Sequence, residues 1–185
     1  MKQLFAAIPL IRFEPASREC GCGLERQVLK THTRTIATLA IGQMRAHETR
    51  LICDHCKTIA RSEQLPRLVP KHGKFGFDVI VYVGIELLIK SRSDIEIQQQ
   101  LALKNIPISI REIGHLGARF VTYLALIHKD AQGPIKKLLG ANGGYILHLD
   151  GTCEGDSPHL MTALDELSEI VLGNIKLPSE NAAMI

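Results

Sequence analysis

One segment near the N-terminus reads Val28-Leu29-Lys30-Thr31-His32-Thr33-Arg34-Thr35-Ile36-Ala37-Thr38-Leu39. It is rich in β-branched residues, and threonines and charged residues are interleaved with apolar ones, which is typical of a β-strand. Gly42 follows as a turn residue, and residues 44–52 can return as a second strand. The sequence therefore predicts a β-hairpin at the centre of a small β-module.

Two cysteine pairs flank the predicted hairpin, Cys20 and Cys22 before it and Cys53 and Cys56 after it. Structural zinc is held by four ligands in a tetrahedron, and two pairs that clamp the ends of a hairpin can supply four thiolates. A module of this size buries too little apolar surface to fold without such a metal. We therefore predict a structural zinc site formed by the four cysteines.

The spacing of the first pair leaves alternatives open. Cys20 and Cys22 are separated by one residue, whereas Cys53 and Cys56 have the usual separation of two. One cysteine of the first pair could therefore lie outside the site, and the fourth ligand would then be one of three histidines: His32, His47 or His55. Two reduced pairs that bind no metal are also compatible with the sequence. A disulfide framework is disfavoured, because the chain contains five cysteines and four of them form tight pairs.

Charge is distributed unevenly along the chain, although its 185 residues have a net charge of only +3. Residues 1–75 carry 13 basic and 6 acidic side chains, whereas residues 141–185 carry 1 and 7. The basic part suits a polyanion such as DNA, and the acidic part suits a cation.

Aromatic residues make up only 4% of the chain, which argues against a stacking platform for single-stranded nucleic acid. No apolar run approaches the roughly 20 residues of a membrane span.

Residues 76–139 are predicted to be mainly helical. Residues 77–90 are apolar without alternation, which favours a buried helix, and residues 94–104 carry acids near their start and a lysine at their end. A break at residues 105–107 precedes Ser109, which can cap a third helix running to about residue 128. This order predicts a helix-turn-helix, whose second helix enters the major groove. An ordinary helical hairpin is the alternative.

The candidate DNA contacts on the third helix are Ser109, Arg111, His115 and Arg119, and those on the β-hairpin are Arg34 and Arg45.

The last region, residues 140–185, changes to a strand pattern. Three apolar runs at residues 145–150, 160–164 and 169–176 are separated by polar turns and predict an antiparallel meander. Asp150 ends the first run and precedes a glycine, where a rigidly held carboxylate could bind Mg²⁺. One carboxylate is not a metal site, so a structural aspartate that caps a turn is the alternative interpretation.

The order of these parts resembles the N-terminal part of a bacterial insertion-sequence transposase of the DDE class. The motifs that carry the resemblance are the two cysteine pairs, Leu29-Lys30-Thr31-His32-Thr33-Arg34-Thr35, the helix-turn-helix, Gly143-Gly144-Tyr145-Ile146-Leu147-His148-Leu149-Asp150-Gly151-Thr152, and Ile170-Val171-Leu172-Gly173-Asn174-Ile175-Lys176-Leu177-Pro178-Ser179-Glu180. The resemblance implies that Asp150 is the first catalytic acid and binds magnesium. It also implies that the front modules bind the terminal inverted repeats of the element as double-stranded DNA, as a homo-oligomer in the bacterial cytoplasm.

The resulting fold class is α+β with several modules. We expect a leader at residues 1–19, a zinc-ribbon-like module at 20–75, a helix-turn-helix module at 76–139 and a truncated RNase H-like domain at 140–185. Because the other two acids of the triad are missing, we expect no nuclease or strand-transfer activity from this chain alone. The alternative function is a stand-alone zinc-ribbon and helix-turn-helix transcription regulator.

Overall fold

The computed structural model describes residues 8–152 and 158–177. Its fold is α+β, as predicted, and the described residues form five α-helices and two β-sheets. The chain divides into two compact units, residues 1–125 and residues 126–185. Within the described ranges, no helix combines the length and the apolar character needed to cross a bilayer.

The first unit contains a four-stranded sheet built around the predicted hairpin. Its strands are β1 (Leu10–Phe13), β2 (Gln27–Thr38), β3 (Gly42–Ile52) and β4 (Ile59–Ala60). β2 and β3 are antiparallel, with Thr38 opposite Gly42. β1 pairs in parallel with the other edge of β3, and β4 pairs with the end of that edge. The region expected to be a leader therefore contributes a strand to the sheet.

One face of this sheet forms a small apolar core with the short helix α1 (Gln64–Leu68). Alternate residues of a strand share a face, so Ile36 on β2 and Met44 on β3 lie together on the side that α1 covers. The core residues are Phe13, Ile36, Met44, Ala46, Leu65 and Val69. This core supports the half of the hairpin nearest its turn, whereas residues 27–33 of β2 are exposed.

Three helices form the rest of the first unit and confirm the predicted order. They are α2 (Phe77–Gly84), which continues as a π-helical turn over Ile85–Ile89, α3 (Asp94–Leu103) and α4 (Ile110–Asp130). α3 and α4 each begin with a capping box, in which a serine accepts a hydrogen bond from a backbone amide and a glutamate accepts one in return. The serine–glutamate pairs are Ser93 with Glu96 and Ser109 with Glu112.

The helices share a second apolar core, in which α2 crosses α4 closely. Its buried residues are Ala37, Phe75, Val79, Ile80, Val83, Ile97, Leu101, Ile106, Ile108, Ile113, Leu116 and Phe120. Gly84 allows the close approach, because a Cβ atom at that position would lie 2.1 Å from Cγ of Phe120. The ring of Phe120 therefore packs directly against the backbone of α2.

The hairpin and the helices are parts of one unit, so the boundary expected between residues 75 and 76 does not separate two domains. Gly76 donates a backbone hydrogen bond to Ala37 at 2.8 Å, and Leu39 donates one to the carboxylate of Asp78 at 2.7 Å. The hairpin turn also contacts the loop before α4, because a Cβ atom on Gly42 would lie 2.7 Å from the carbonyl oxygen of Lys104. These contacts are distant in sequence, so local patterns do not reveal them.

The second unit contains α5 (Gln132–Ala141), a helix that the sequence did not predict, and a three-stranded antiparallel sheet. The strands are β5 (Leu147–Thr152), β6 (His159–Asp165) and β7 (Ile170–Leu177), in that order across the sheet. This is the predicted meander. Apolar side chains on one face, such as those of Leu149 and Ile175, are exposed.

Asp165, at the end of β6, connects the turn between β6 and β7 to the segment before β5. Its buried carboxylate accepts hydrogen bonds from the backbone amide of Ile146 at 2.9 Å and from the amide and hydroxyl of Ser168 at 3.1 and 2.6 Å. The Ser168 hydroxyl is the main cause that lowers the pKa of Asp165 below its usual value, and the backbone of Ile146 contributes. The ionised carboxylate therefore fixes both the turn and the approach to β5.

We expect Asp165→Asn to speed amide exchange in residues 146–150 and 165–170, because asparagine keeps one acceptor oxygen and replaces the other by an NH2 group, which cannot accept a hydrogen bond. A carboxyl group whose pKa is lowered by folding stabilises the fold at pH values above the usual aspartate pKa. This stabilisation is lost as the pH falls through the pKa of the folded state. The difference from the wild type should therefore be full at neutral pH and shrink below a pH of about 3.9. Hydrogen exchange read by mass spectrometry measures it, with Glu166→Gln as the exposed control. Equal exchange in the wild type and Asp165→Asn would contradict this role.

Candidate metal centre and nucleic-acid interface

The four predicted cysteines meet at one end of the hairpin. All four sulfur atoms lie within 4.8 Å of one another, and the thiols are free. Cys20 Sγ is 3.3 Å from Cys56 Sγ, and Cys22 Sγ is 3.5 Å from Cys53 Sγ. The group could hold a metal ion.

A tight turn brings the first pair together despite its short spacing. Gly23 donates a backbone hydrogen bond to the carbonyl of Cys20 at 2.9 Å, and Cys20 donates one to Leu24 at 2.9 Å. Gly23 has a φ of +85°, a conformation that glycine adopts without steric cost. The turn exposes Cys22 while Cys20 is buried, so a Cys-x-Cys pair can direct both sulfurs to one point.

The second pair lies in the loop between β3 and β4. Lys57 donates a backbone hydrogen bond to the carbonyl of Cys53 at 2.9 Å, and Cys53 donates one to Thr58 at 3.0 Å. Lys57 has a φ of 56°, which turns the chain back toward the sheet. Cys53 is fully buried and Cys56 is exposed, the same arrangement as in the first pair.

Thr58 places a hydroxyl beside two of the thiols. Its Oγ1 is 3.3 Å from Cys20 Sγ and 3.0 Å from Cys56 Sγ. This hydroxyl is the largest cause that lowers the pKa of Cys20 to about 5, and the backbone of Cys22 contributes. The Thr58 side chain and backbone also lower the pKa of Cys56. The backbone of Leu24 lowers the pKa of Cys22, but hydrogen bonds with Cys53 and Cys20 raise it to about 11. A thiolate is the form of cysteine that binds metals, so Thr58 favours metal binding by Cys20 and Cys56.

The donor set and the separations fit tetrahedral zinc. With Zn–S bonds of about 2.3 Å, sulfur atoms at the corners of a tetrahedron are about 3.8 Å apart. The Cys20–Cys56 and Cys22–Cys53 sulfur separations are slightly shorter than this, and every pair in the group lies within 4.8 Å. No histidine belongs to the group among the described residues, so His32, His47 and His55 are not needed as a fourth ligand. His47 instead pairs with the Thr33 hydroxyl at 2.8 Å.

Three of the predicted DNA contacts form an exposed row on α4. Arg111, His115 and Arg119 are spaced by four residues, so they lie along one face of the helix. All three are exposed, and none has a hydrogen-bond or ion-pair partner in the part of the chain that the structure describes. Gly114, which has no side chain, and Ala118, which has a small one, lie between them in sequence and leave the face open to a large ligand.

The fourth predicted contact of this helix, Ser109, has a structural role. Its hydroxyl accepts a hydrogen bond from the amide of Glu112 at 3.2 Å and lies 3.2 Å from the Glu112 carboxylate. Glu112 in turn is 3.8 Å from the ammonium group of Lys74, in the loop before α2. Ser109 therefore fixes the start of α4, and its backbone position remains next to Arg111.

Arg34 and Arg45 do not lie on a common surface. Arg34 is opposite Ala46 in the hairpin and Arg45 is opposite Thr35, which places the two arginines on opposite faces of the sheet. Arg34 is half-buried and donates to the carbonyl of Gly73 at 2.8 Å, whereas Arg45 is exposed. One DNA segment lying on a single face could contact only one of them.

Asp150 lies on β5, opposite Thr162 on β6, and is exposed. No other metal-ligating side chain joins it to form a group of three within residues 8–152 and 158–177. Two nearby acids, Glu154 and Asp156, lie outside the described residues.

The sequence did not predict that basic residues of the first unit line a cleft. A cleft beside the sheet is lined by basic side chains of β2 and of the loop after α1. The alternation of Lys30, His32 and Arg34 along β2 was its only local signal, because the opposite wall is formed by residues about 40 positions away.

Comparisons with known proteins do not assign a function to these sites. No family model, curated protein or solved structure matches the chain. The functional interpretation therefore rests on the converging sulfur atoms and on the exposed row of α4.

Proposed function

We propose that this chain is the DNA-binding N-terminal portion of a transposase of the DDE class, which recognises the ends of its element as double-stranded DNA. The observation that carries the proposal is the exposed, unpaired row of Arg111, His115 and Arg119 on α4. In a helix-turn-helix, the second helix contacts base edges through residues near its N-terminus. Arg111 and His115 lie there, and Arg119 is placed to contact a phosphate.

The preceding helices support this assignment. α3 and α4 are joined by a turn whose Ile106 is fully buried in the shared core, so the turn is rigid. Asn105 in this turn has a φ of 58° and accepts a hydrogen bond from Gln43 at 2.9 Å. The hairpin thus holds the turn, which fixes the start of α4 relative to the rest of the unit. A reading helix must be held in this way to select one register on DNA.

Zinc is the metal we propose for the cysteine group. It accepts four thiolates in a tetrahedron and undergoes no redox chemistry, which suits a structural role. The metal would join the loop before β2 to the loop after β3, because each loop supplies two ligands. Its role is to hold the outer half of the hairpin, where residues 27–33 of β2 are exposed and none of them belongs to the apolar core under α1.

The second unit supports the transposase interpretation in a limited way. A three-stranded sheet with exposed apolar side chains on one face needs another layer to cover it, as the sheet of an RNase H-like domain has. Asp150 would supply the first magnesium ligand of that domain. Asp150 joins no group of three metal-ligating side chains among the described residues, so we keep a second candidate, a stand-alone regulator that binds DNA and performs no catalysis. The two candidates share the DNA-binding front.

Duplex DNA binding that depends on the α4 row tests the proposal. Sites selected from a randomised duplex pool should be bound tightly by the wild type, and Arg111→Gln with Arg119→Gln should weaken binding about 10²-fold, because each lost contact costs about 1–3 kcal/mol. Fluorescence anisotropy measures the affinity. Lys136→Gln with Lys137→Gln removes the same charge from exposed positions on α5 and should leave binding unchanged. Selection that enriches no site, or binding that ignores salt, would rule out this function.

A further inference from the structure

The first unit contains a cleft of about 610 Å³ with strongly basic walls. Its unneutralised basic side chains come from β2, the segment after β4 and the loop after α1. We call it the basic cleft and define it by six residues: Lys30, His32, Arg34, Arg61, Lys71 and His72. None of the proposed contacts on α4 belongs to it.

The register of the hairpin explains why the cleft is basic. Lys30, His32 and Arg34 alternate along β2, so they lie on the same face as Ile36. At Ile36 this face is covered by α1 and is apolar. Closer to the cysteines, α1 does not cover this face. Here the cations of β2 line the cleft together with the loop after α1.

Little negative charge balances these cations. Glu48 is the single acid among the described residues that line the cleft, and both Nε and Nη2 of Arg50 bind it, at 3.1 and 2.8 Å. Lys30, Arg61 and Lys71 have no hydrogen-bond or ion-pair partner in the described ranges. Cations that line a concave surface produce a focused positive potential, which attracts anions.

The loop that lines the cleft also contacts the start of α4. Gly73, directly after His72, accepts the hydrogen bond from Arg34, and the next residue, Lys74, forms the ion pair with Glu112 in the first turn of α4. A chain extends by at most about 3.6 Å per residue, so the Cα atoms of His72 and Lys74 are at most about 7 Å apart. One short loop therefore connects a wall of the cleft to the first turn of the helix that carries Arg111.

We infer that the basic cleft binds backbone phosphates of the DNA whose bases α4 contacts. This inference rests on the proposed function. Phosphates are favoured over bases because the cleft is lined mainly by cations and, within the described residues, contains no Phe or Tyr to form a stacking platform. Free lysine and arginine side chains provide the contacts that position a duplex without reading its sequence. DNA binding by the first unit then has two parts, a reading helix and a phosphate clamp.

A charge-removal variant tests the inference on the full chain. Lys30→Gln, Arg61→Gln and Lys71→Gln remove three exposed, unpaired cations, and Lys129→Gln, Lys136→Gln and Lys137→Gln remove three exposed cations elsewhere as the control. The probe is a labelled duplex of mixed sequence, titrated at several salt concentrations. The cleft variant should lose about 10²-fold in affinity at 0.1 M salt, and its salt dependence should fall by about 2–3 ions, because each phosphate contact releases about one counterion.

The outcomes separate this inference from the function on which it rests. Wild-type binding that falls with Arg111→Gln and Arg119→Gln but not with the cleft variant would overturn the clamp alone. Equal losses in the cleft variant and its control would also overturn it, because net charge would then be the cause. A wild type that binds no duplex would overturn both. Unchanged circular dichroism and metal content in the cleft variant, together with the expected loss, would support the clamp.

Discussion

Cys53→Ser is expected to remove the metal from the protein and to unfold the outer half of the hairpin. Cys53 is fully buried in the loop between β3 and β4, and its sulfur is one of the four that converge. A serine hydroxyl is a poor zinc ligand compared with a thiolate. Structural zinc contributes about 10–16 kcal/mol to the folding of small zinc modules, which exceeds the stability of most domains.

The unfolding should be local, because the two halves of the hairpin are held differently. Residues 34–46 are fixed by the apolar core under α1 and by the hydrogen bond between Gln43 and Asn105. Residues 27–33 of β2 are exposed, and the loop before them contains few backbone hydrogen bonds and one isolated bridge, between Glu19 and Glu25. Loss of the metal should therefore expose residues 18–33 and 47–60 to exchange while the helices remain protected.

Metal analysis and hydrogen exchange by mass spectrometry together measure this effect. The wild type should contain about one zinc per chain, as expected for a four-cysteine site. Chelation should reproduce the exchange pattern of Cys53→Ser. The control is Cys153→Ser, which removes the cysteine outside both pairs and should change neither zinc content nor exchange in these segments. A folded wild type that contains no zinc, or a Cys53→Ser variant that retains it, would contradict the metal centre.

Elements with strong local signals were predicted well from the sequence. The β-branched run of β2, the turn at Gly42 and the capping boxes at Ser93 and Ser109 each fix an element within a few residues of its own position. The cysteine group was predictable for the same reason, since its ligands occur as two close pairs. The choice among its ligands was not, because the turn that makes Cys20 and Cys22 converge depends on hydrogen bonds around Gly23.

Features that depend on contacts between residues distant in sequence could not be predicted from the sequence. β1 has only four residues and exists because it pairs with the edge of β3. α5 was not predicted as a separate helix, although most of it lies within the region predicted to be mainly helical, and its Pro134 is tolerated because it lies in the first turn. The union of hairpin and helices depends on contacts such as Gly42 with Lys104. The basic cleft required both the strand register and the position of the loop after α1.

Gly84→Ala is expected to destabilise the first unit strongly, because the new methyl group would overlap the ring of Phe120. A Cβ atom at Gly84 would lie within 2.1–2.6 Å of three ring atoms of Phe120. Phe120 is buried in the helical core and projects from α4, so the clash can be relieved only by moving the ring or separating the helices. Overpacking of this kind costs about 1–3 kcal/mol or more. A displaced α4 would also move the row that we propose contacts DNA.

A double-mutant cycle isolates this contact. Phe120→Ala alone should cost about 3–5 kcal/mol through the cavity that it leaves. In the double variant the methyl group of Gly84→Ala enters that cavity, so the combined loss in chemical denaturation should be smaller than the sum by about 0.5–3 kcal/mol. Gly114→Ala is the matched control, because no atom lies within 4 Å of its Cβ position and α4 should gain about 0.5–1 kcal/mol. Additive losses at Gly84 and Phe120 would mean that the two helices do not meet there. The position of the reading helix would then depend on other contacts, since Gly84 allows α2 and α4 to approach only if the ring of Phe120 fills the space above it.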